Sequence, residues 1–269
     1  MFTQFAADWL ALREDADAAA RAVELLDPLR AQLRGRHRKL VIRDLGSGTG
    51  SMGRWLAERL PGPQHWVLTD RDPELLARAA GGLPSPATSV TELRDITLLT
   101  AEDLTGTSLV TGSALLDLLT AGEVAGLADA CVDAGCPAFF ALSVVGRVEL
   151  TPGDPLDGVL ASAFNAHQRR TSGGRRLLGP DAVTATAAAF TRRGAVVHRR
   201  PSPWRLGPAQ ARLTEQWLRG WVAAAREHDP ELSAAADDYL RRRLATCASG
   251  DLTAVVHHED LVAVPPVVA

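Results

Sequence analysis

Basic charge in this chain is carried almost wholly by arginine, for Lys39 is the only lysine. Basic residues number 29 against 32 acidic ones, a formal net charge of −3. That balance gives no electrostatic pull toward nucleic acid or an acidic membrane. Cysteine is scarce: Cys131, Cys136 and Cys247 are an odd set without CxxC spacing. The pattern argues against a disulfide framework and a zinc site, so no metal is expected and a cytoplasmic location is. No apolar run approaches the ~18 residues of a membrane span. Asp8, Glu14, Asp15 and Asp17 near the start are foreign to a secretory signal. The rest is ordinary globular composition. Of 269 residues, 46% are hydrophobic, enough for one sizeable core.

The most informative stretch runs from Leu40 to Leu56, LVIRDLGSGTGSMGRWL. Leu40 to Asp44 reads as a buried strand. Gly46, Gly48 and Gly50 follow at alternate positions, and a helix then begins with Trp55 and Leu56 on its inner side. Such glycines let the chain turn tightly and let a ligand touch the backbone. The N–H groups at a helix start can hold a carboxylate or a phosphate. Gly48, Gly50 and Gly53 also satisfy GxGxxG, the dinucleotide fingerprint. Asp44, two residues before the first glycine, extends the run to Asp-x-Gly-x-Gly-x-Gly. Residues 65–70, HWVLTD, read as a second strand ending in Asp70, whose carboxylate can accept both ribose hydroxyls of a nucleoside. That feature suits NAD as well as other nucleosides.

Around this stretch, residues 2–35 read as one or two helices, from Phe5, Trp9 and Leu12 to Leu29. Trp9, Arg13 and Asp17 fall at i, i+4 and i+8, either as a packed tryptophan with an ion pair or as a lid with Arg13 facing an anionic substrate. Asp72-Pro73-Glu74 caps a helix that runs to about Ala80. Residues 88–95 read as a third strand ending in Asp95 and Ile96, and Ser108–Thr111 as a fourth. A helix over 121–134 leads to a fifth strand over 137–145. A Gly/Pro/Arg-rich connection spans 146–179. A helix over 181–193, a sixth strand over 195–199, two helices over 209–228 and 230–249, and a last strand over 252–257 complete the chain. His257 and His258, as strand neighbours, point to opposite faces and cannot easily chelate one metal.

The Asp44–Gly50 run resembles motif I of the class I S-adenosylmethionine (SAM) methyltransferases, and residues 38–145 follow that family's order. The resemblance implies a doubly wound α/β fold with a seven-stranded, mostly parallel sheet (Rossmann-like methyltransferase fold). One domain over 1–269 is expected, with an N-terminal helical cap (1–37) and a helical insertion (203–250). The implied cofactor is SAM. Asp44, Gly46, Ser47, Gly48 and Gly50 would meet its methionine end and Asp70 its ribose, with Arg71 also on the cofactor side. Asp95 and Ile96 would flank adenine, with Glu102 and Asp103 as rivals. Thr111 and Ser113 would lie under the methionine, and Asp117 stands where many relatives carry a histidine. Four strand ends, at Asp44, Asp70, Asp95 and Thr111, thus share the carboxyl rim of one sheet, where ligands of such sheets bind.

Methyl transfer from a sulfonium needs alignment and exclusion of water more than a dedicated catalytic group. No Asn-Pro-Pro-Tyr motif for base or amide methylation occurs, and Tyr239 is the only tyrosine. By elimination the acceptor is a small molecule, with neither nucleic acid nor membrane as partner and a homodimer compatible with the sequence. On the acceptor side, His167 is the candidate base. Trp9, Arg13, Asn165, Arg169 and Arg170 are candidates to bind the substrate. Trp217 and Trp221 of the insertion serve either core packing or the pocket. The competing readings are an NAD-dependent oxidoreductase, a SAM-binding enzyme with other chemistry such as cyclisation, and a non-catalytic nucleoside-binding module.

Overall fold

A computed structural model describes residues 7–34 and 39–266; Phe5 lies outside them. Strand β1 (Leu40–Leu45) is central. It pairs in parallel with β2 (Gln64–Asp70) on one side and β4 (Leu109–Ser113) on the other. β3 (Thr88–Leu93) extends the sheet beyond β2, and β5 (Ala138–Thr151) beyond β4, all parallel. The order is therefore 3-2-1-4-5, and it reverses between β1 and β4. That reversal opens a crevice at the carboxyl ends of these two strands.

Helices cover both faces, because each βαβ crossover must return on one side or the other. Among them α2 (Leu26–Leu33) and α3 (Ser51–Ala57) pack on one face, burying Leu29, Trp55 and Leu56 with Trp66. On the other, α5 (Ala121–Asp133) and α7 (Ala182–Arg192) bury Val124, Leu127 and Phe190. Phe139 and Phe140, adjacent in β5, divide between these two cores, as alternation along a strand demands. α4 (Pro73–Ala79) starts as expected: Asp72 accepts from the N–H groups of Glu74 at 2.9 Å and Leu75 at 3.3 Å.

The sheet closes with β10 (Thr253–Val264), antiparallel both to β5 and to β8 (Val196–Pro201). The expected seven strands are present in the order 3-2-1-4-5-10-8, and a three-residue eighth, β9 (Trp204–Leu206), pairs with the near end of β10. Two expectations from the sequence fall short here. The fifth strand runs six residues past Val145, and the apolar segment after His257 is strand as well. Both continue because each supplies the other's hydrogen bonds, from Ala138 opposite Ala263 to Thr151 opposite Thr253. The connection over 146–179 is not irregular throughout. It holds α6 (Asp157–Gln168) and a hairpin of β6 (Thr171–Ser172) with β7 (Arg175–Arg176).

This long β5–β10 ribbon carries a third core. α6, α8 (Ala211–His228) and α9 (Ser233–Ala248) bury Leu160, Leu218, Trp221 and Tyr239 against Trp204 and Leu206. Arg243 and Asp157 form a salt bridge there, to which Tyr239 adds a 2.7 Å hydrogen bond. The N-terminal α1 (Ala7–Ala20) lies against β9 and joins the same cluster through Trp9 and Leu12.

Candidate active site

Gly46, Gly48 and Gly50 all adopt left-handed φ, at +60°, +54° and +84°. The turn is also crowded: a Cβ on Gly46 would lie 2.9 Å from Leu115 Cδ1, and one on Gly48 3.1 Å from Leu10 Cδ1. Only glycine meets both demands. The Gly48 N–H donates to Asp70 Oδ2 at 2.8 Å, and the Asp72 N–H to Oδ1 at 3.0 Å. The Asp70 carboxylate is thereby fixed beside the turn, with lone pairs to spare on both oxygens.

Asp44 is buried at the end of β1. Its Oδ1 accepts the Thr111 hydroxyl at 2.7 Å, whereas Oδ2 is buried without a partner. Burial pushes its carboxyl up to about 6, against the Thr111 hydrogen bond and the charge of Arg21. Ser47 Oγ is likewise buried and unpartnered. Such orphaned atoms are uncommon in folded proteins and point to a ligand or ordered water. At the end of β3, Asp95 Oδ1 accepts from the N–H of Thr97 at 2.9 Å and its hydroxyl at 2.8 Å. These bonds, the backbone one foremost, hold the carboxyl below its usual range.

From this rim a cavity of about 980 Å³ runs under α6 and α8. Its far end is a chamber with Val148, Phe164, Trp217, Trp221 and Val256 in its wall. Trp217 and Trp221 stack with centroids 5.3 Å apart. Trp221 Nε1 and Gln168 Oε1 are buried there without partners. α1 closes one side. Arg13 Nε donates to Asp17 Oδ2 and Trp204 Nε1 to Asp17 Oδ1, each at 2.9 Å, while the Arg13 guanidinium lies 4.9 Å over the Trp204 ring. His258 packs 5.3 Å from Trp204 on the same wall. Burial, then the charge of Arg13, pushes it down to about 3, so it is neutral at ordinary pH.

Two groups in this wall can move protons. Burial pushes the Asp117 carboxyl up to about 6, with Arg13 and Arg170 opposing through space. His167 is held below its usual value by burial and then by Arg170. Its Nε2 stands 3.3 Å from Glu227 Oε2 and its Nδ1 3.4 Å from Arg170 Nη1.

Neither a protein-family model nor a curated protein sequence matches the chain. Solved structures do. The YcgJ protein from Bacillus subtilis aligns with a TM-score of 0.50 at 12% identity, over 90% of this chain and 97% of its own. A SAM-dependent methyltransferase from Geobacter sulfurreducens in complex with S-adenosylhomocysteine aligns at 0.44 and 15% identity, over 96% and 98%. The cyclopropane synthase MmaA2 from Mycobacterium tuberculosis aligns at 0.47 and 10% identity, over 90% and 83%. The chain shares the doubly wound α/β fold of YcgJ, with the strand order given above.

Within this fold most of the residues singled out from the sequence meet at one cavity. Asp44, Gly46, Ser47 and Gly48 line it, with Asp70, Arg71, Asp95, Ile96 and Ser113. Thr111 is one layer behind, bonded to Asp44, and Gly50 caps α3. Of the rivals for adenine, Asp103 is turned to Arg94 and Thr100 instead. On the acceptor side Trp9, Arg13, Asn165, His167 and Arg170 reach the wall. Asn165 spends its amide on the Gly146 carbonyl at 2.7 Å, tying α6 to β5. Arg169 is outside the wall, in a two-pronged pair with Asp181 at 2.6 and 2.8 Å.

Sequence reasoning passes over Arg21 and Asp260. Asp260 is wholly buried and accepts from the N–H groups of Ala22 at 2.8 Å and Leu142 at 2.7 Å and from the Ser202 hydroxyl. It joins the end of α1, β5 and the β8–β9 connection at one carboxylate. Leu142, at φ +55°, is itself part of the cavity wall. Nothing local marks either residue, since each acquires its role from elements distant in the chain.

Proposed function

We propose that the chain is a SAM-dependent methyltransferase acting on a small, largely apolar acceptor with a planar or ring-bearing body. The observation that carries this reading is the single cavity that joins the glycine turn and three strand-end carboxylates to a tryptophan-walled chamber. The orphaned Asp44 Oδ2 and Ser47 Oγ beside the turn suit a ligand with a polar tail, and Asp70 suits a ribose. Bound SAM would supply a methyl already activated as a sulfonium substituent.

The work left to the protein is placement and proton removal. The glycine turn, Asp70 and Asp95 fix the nucleoside, and α1 with Leu10 and Arg13 keeps water from the rim. Trp217 and Trp221 hold the acceptor by its flat face. Where the nucleophile carries a proton, Asp117 is the better placed base. Its carboxyl makes no hydrogen bond with another side chain among the described residues, whereas both His167 nitrogens are approached by charged neighbours. A carboxyl near 6 combines ionisation at neutral pH with useful basicity. A SAM-utilising cytoplasmic enzyme is consistent with the reading, and no helix among the described residues is long and apolar enough to cross a membrane.

Calorimetric titration with S-adenosylhomocysteine (SAH) and with NAD tests the cofactor. SAH binding is expected, and selective binding of NAD overturns the reading. A screen of hydroxylated and aminated ring compounds, read as SAH released, tests transfer. Binding of SAM with release of 5′-methylthioadenosine but no methylated product would assign a cyclising enzyme instead.

A further inference from the structure

Arg21 follows α1, and its side chain is 3% exposed. Its guanidinium makes one hydrogen bond, from Nη2 to Ser113 Oγ at 3.3 Å, and lies 5.3 Å over the Trp55 ring. Nε and Nη1 are buried without partners. A guanidinium keeps its proton in proteins, so this is a buried cation with most of its donors idle, a costly arrangement.

Three carboxylates attract it through space, Asp17, Asp260 and Asp44 in falling order. None forms a salt bridge with it, and each is engaged elsewhere. Asp17 accepts from Arg13 and Trp204. Asp260 accepts from Ala22, Leu142 and Ser202. Asp44 accepts from Thr111. The acids thus offset the buried charge without filling its fork. The side chain that Arg21 does touch, Ser113, lies in the cavity wall beside the glycine turn, as do Asp17 and Asp44. A fork of idle N–H donors one side chain behind the wall of a ligand cavity, screened from it by Ser113, fits a carboxylate in two-pronged geometry once that side chain turns aside.

In a SAM-shaped ligand the only carboxylate belongs to the amino-acid tail. We propose that Arg21, reached past Ser113, binds the α-carboxylate of the cofactor's amino-acid tail and makes the site selective for nucleosides that carry it. The assignment rests on the SAM reading above.

The test is calorimetry with three ligands: SAH, its decarboxylated analogue with the same amine and thioether, and 5′-methylthioadenosine, which lacks the whole tail. Wild-type protein is expected to bind SAH at least tenfold more tightly than the decarboxylated analogue. Arg21→Gln should bring that ratio close to one while leaving affinity for 5′-methylthioadenosine unchanged. Arg21→Lys, which keeps the charge and loses the fork, should lower the ratio at least threefold with the circular dichroism spectrum intact. A wild-type ratio near one overturns the proposal without recourse to any variant. So does an Arg21→Gln protein that loses affinity for all three ligands by one factor, and so does an unchanged ratio in Arg21→Lys. If neither SAH nor 5′-methylthioadenosine binds the wild type, the SAM reading itself fails and this inference with it. If both bind and the tail makes no difference, only this inference fails.

Discussion

The rim of the parallel sheet and the chamber beneath α6 and α8 belong to one cavity but are built on opposite terms. At the rim the polar groups are backbone and short carboxylates fixed by backbone. The glycines are held at left-handed φ, and Asp70 is bonded to two main-chain N–H groups. In the chamber most of the wall is made of aromatic side chains projecting from helices, with Val148 and Val256 added by the strands, and polar atoms such as Trp221 Nε1 and Gln168 Oε1 are left unmatched. A wall of the first kind tolerates one ligand shape. A wall of the second kind can be respecified by exchanging side chains without disturbing the strands. Substitution is therefore expected to be tolerated less at the rim than in the chamber.

The comparison is broken most severely at Asp117, in the wall of the shared cavity. Asp117→Asn is expected to lower turnover by about 10²- to 10⁴-fold while SAH affinity stays the same. In the wild type, turnover should rise as the pH rises through about 6, because the base must be ionised, and the substitution should abolish that limb. If His167→Ala removes the limb and Asp117→Asn does not, the base is the histidine.

The next effect is on stability. Asp260→Ala strands two main-chain N–H groups and a hydroxyl beside the buried Arg21, and should cost about 3–5 kcal/mol in urea unfolding. Because that carboxylate ties the end of α1 to β5, both regions should loosen together. A single unfolding step that becomes two would instead show the regions to be separable. Asp70→Ala follows, with SAH affinity reduced by about 1–3 kcal/mol and the chamber undisturbed, as read by fluorescence of its tryptophans. The smallest effect is expected at Arg169. Its pair with Asp181 is well exposed, so Arg169→Ala should change stability by about 0–1 kcal/mol and leave the Michaelis constant for any acceptor unaltered.

The same contrast explains what could be read from sequence. Asp44, Asp70 and Asp95 were legible because a strand end followed by a forced turn restricts the residues that fit. The third strand was overrun by two residues, since Arg94 and Asp95 continue the alternation and only pairing with β2 ends it at Leu93. The chamber was less legible. Gly146 looked like the end of the fifth strand, yet the partner that continues the strand lies more than a hundred residues away. α6, an alanine-rich helix behind two prolines, declares itself through packing on α8 more than through its own sequence. Arg21 is one arginine in a chain full of them, and only tertiary burial distinguishes it.

The β5–β10 ribbon has a mechanical meaning. One long pair of antiparallel strands, with register shifts between Val256 and His258 and between Glu259 and Leu261, begins within the rim sheet and reaches the chamber wall at Val148 and Val256, so both are mounted on the same beam. Rocking one against the other would require shearing a ladder of hydrogen bonds from Ala138 to Thr151. The spacing between rim and chamber is thereby set by main-chain pairing and not by side chains. α1 and the short β6–β7 hairpin border the cavity from outside that ladder.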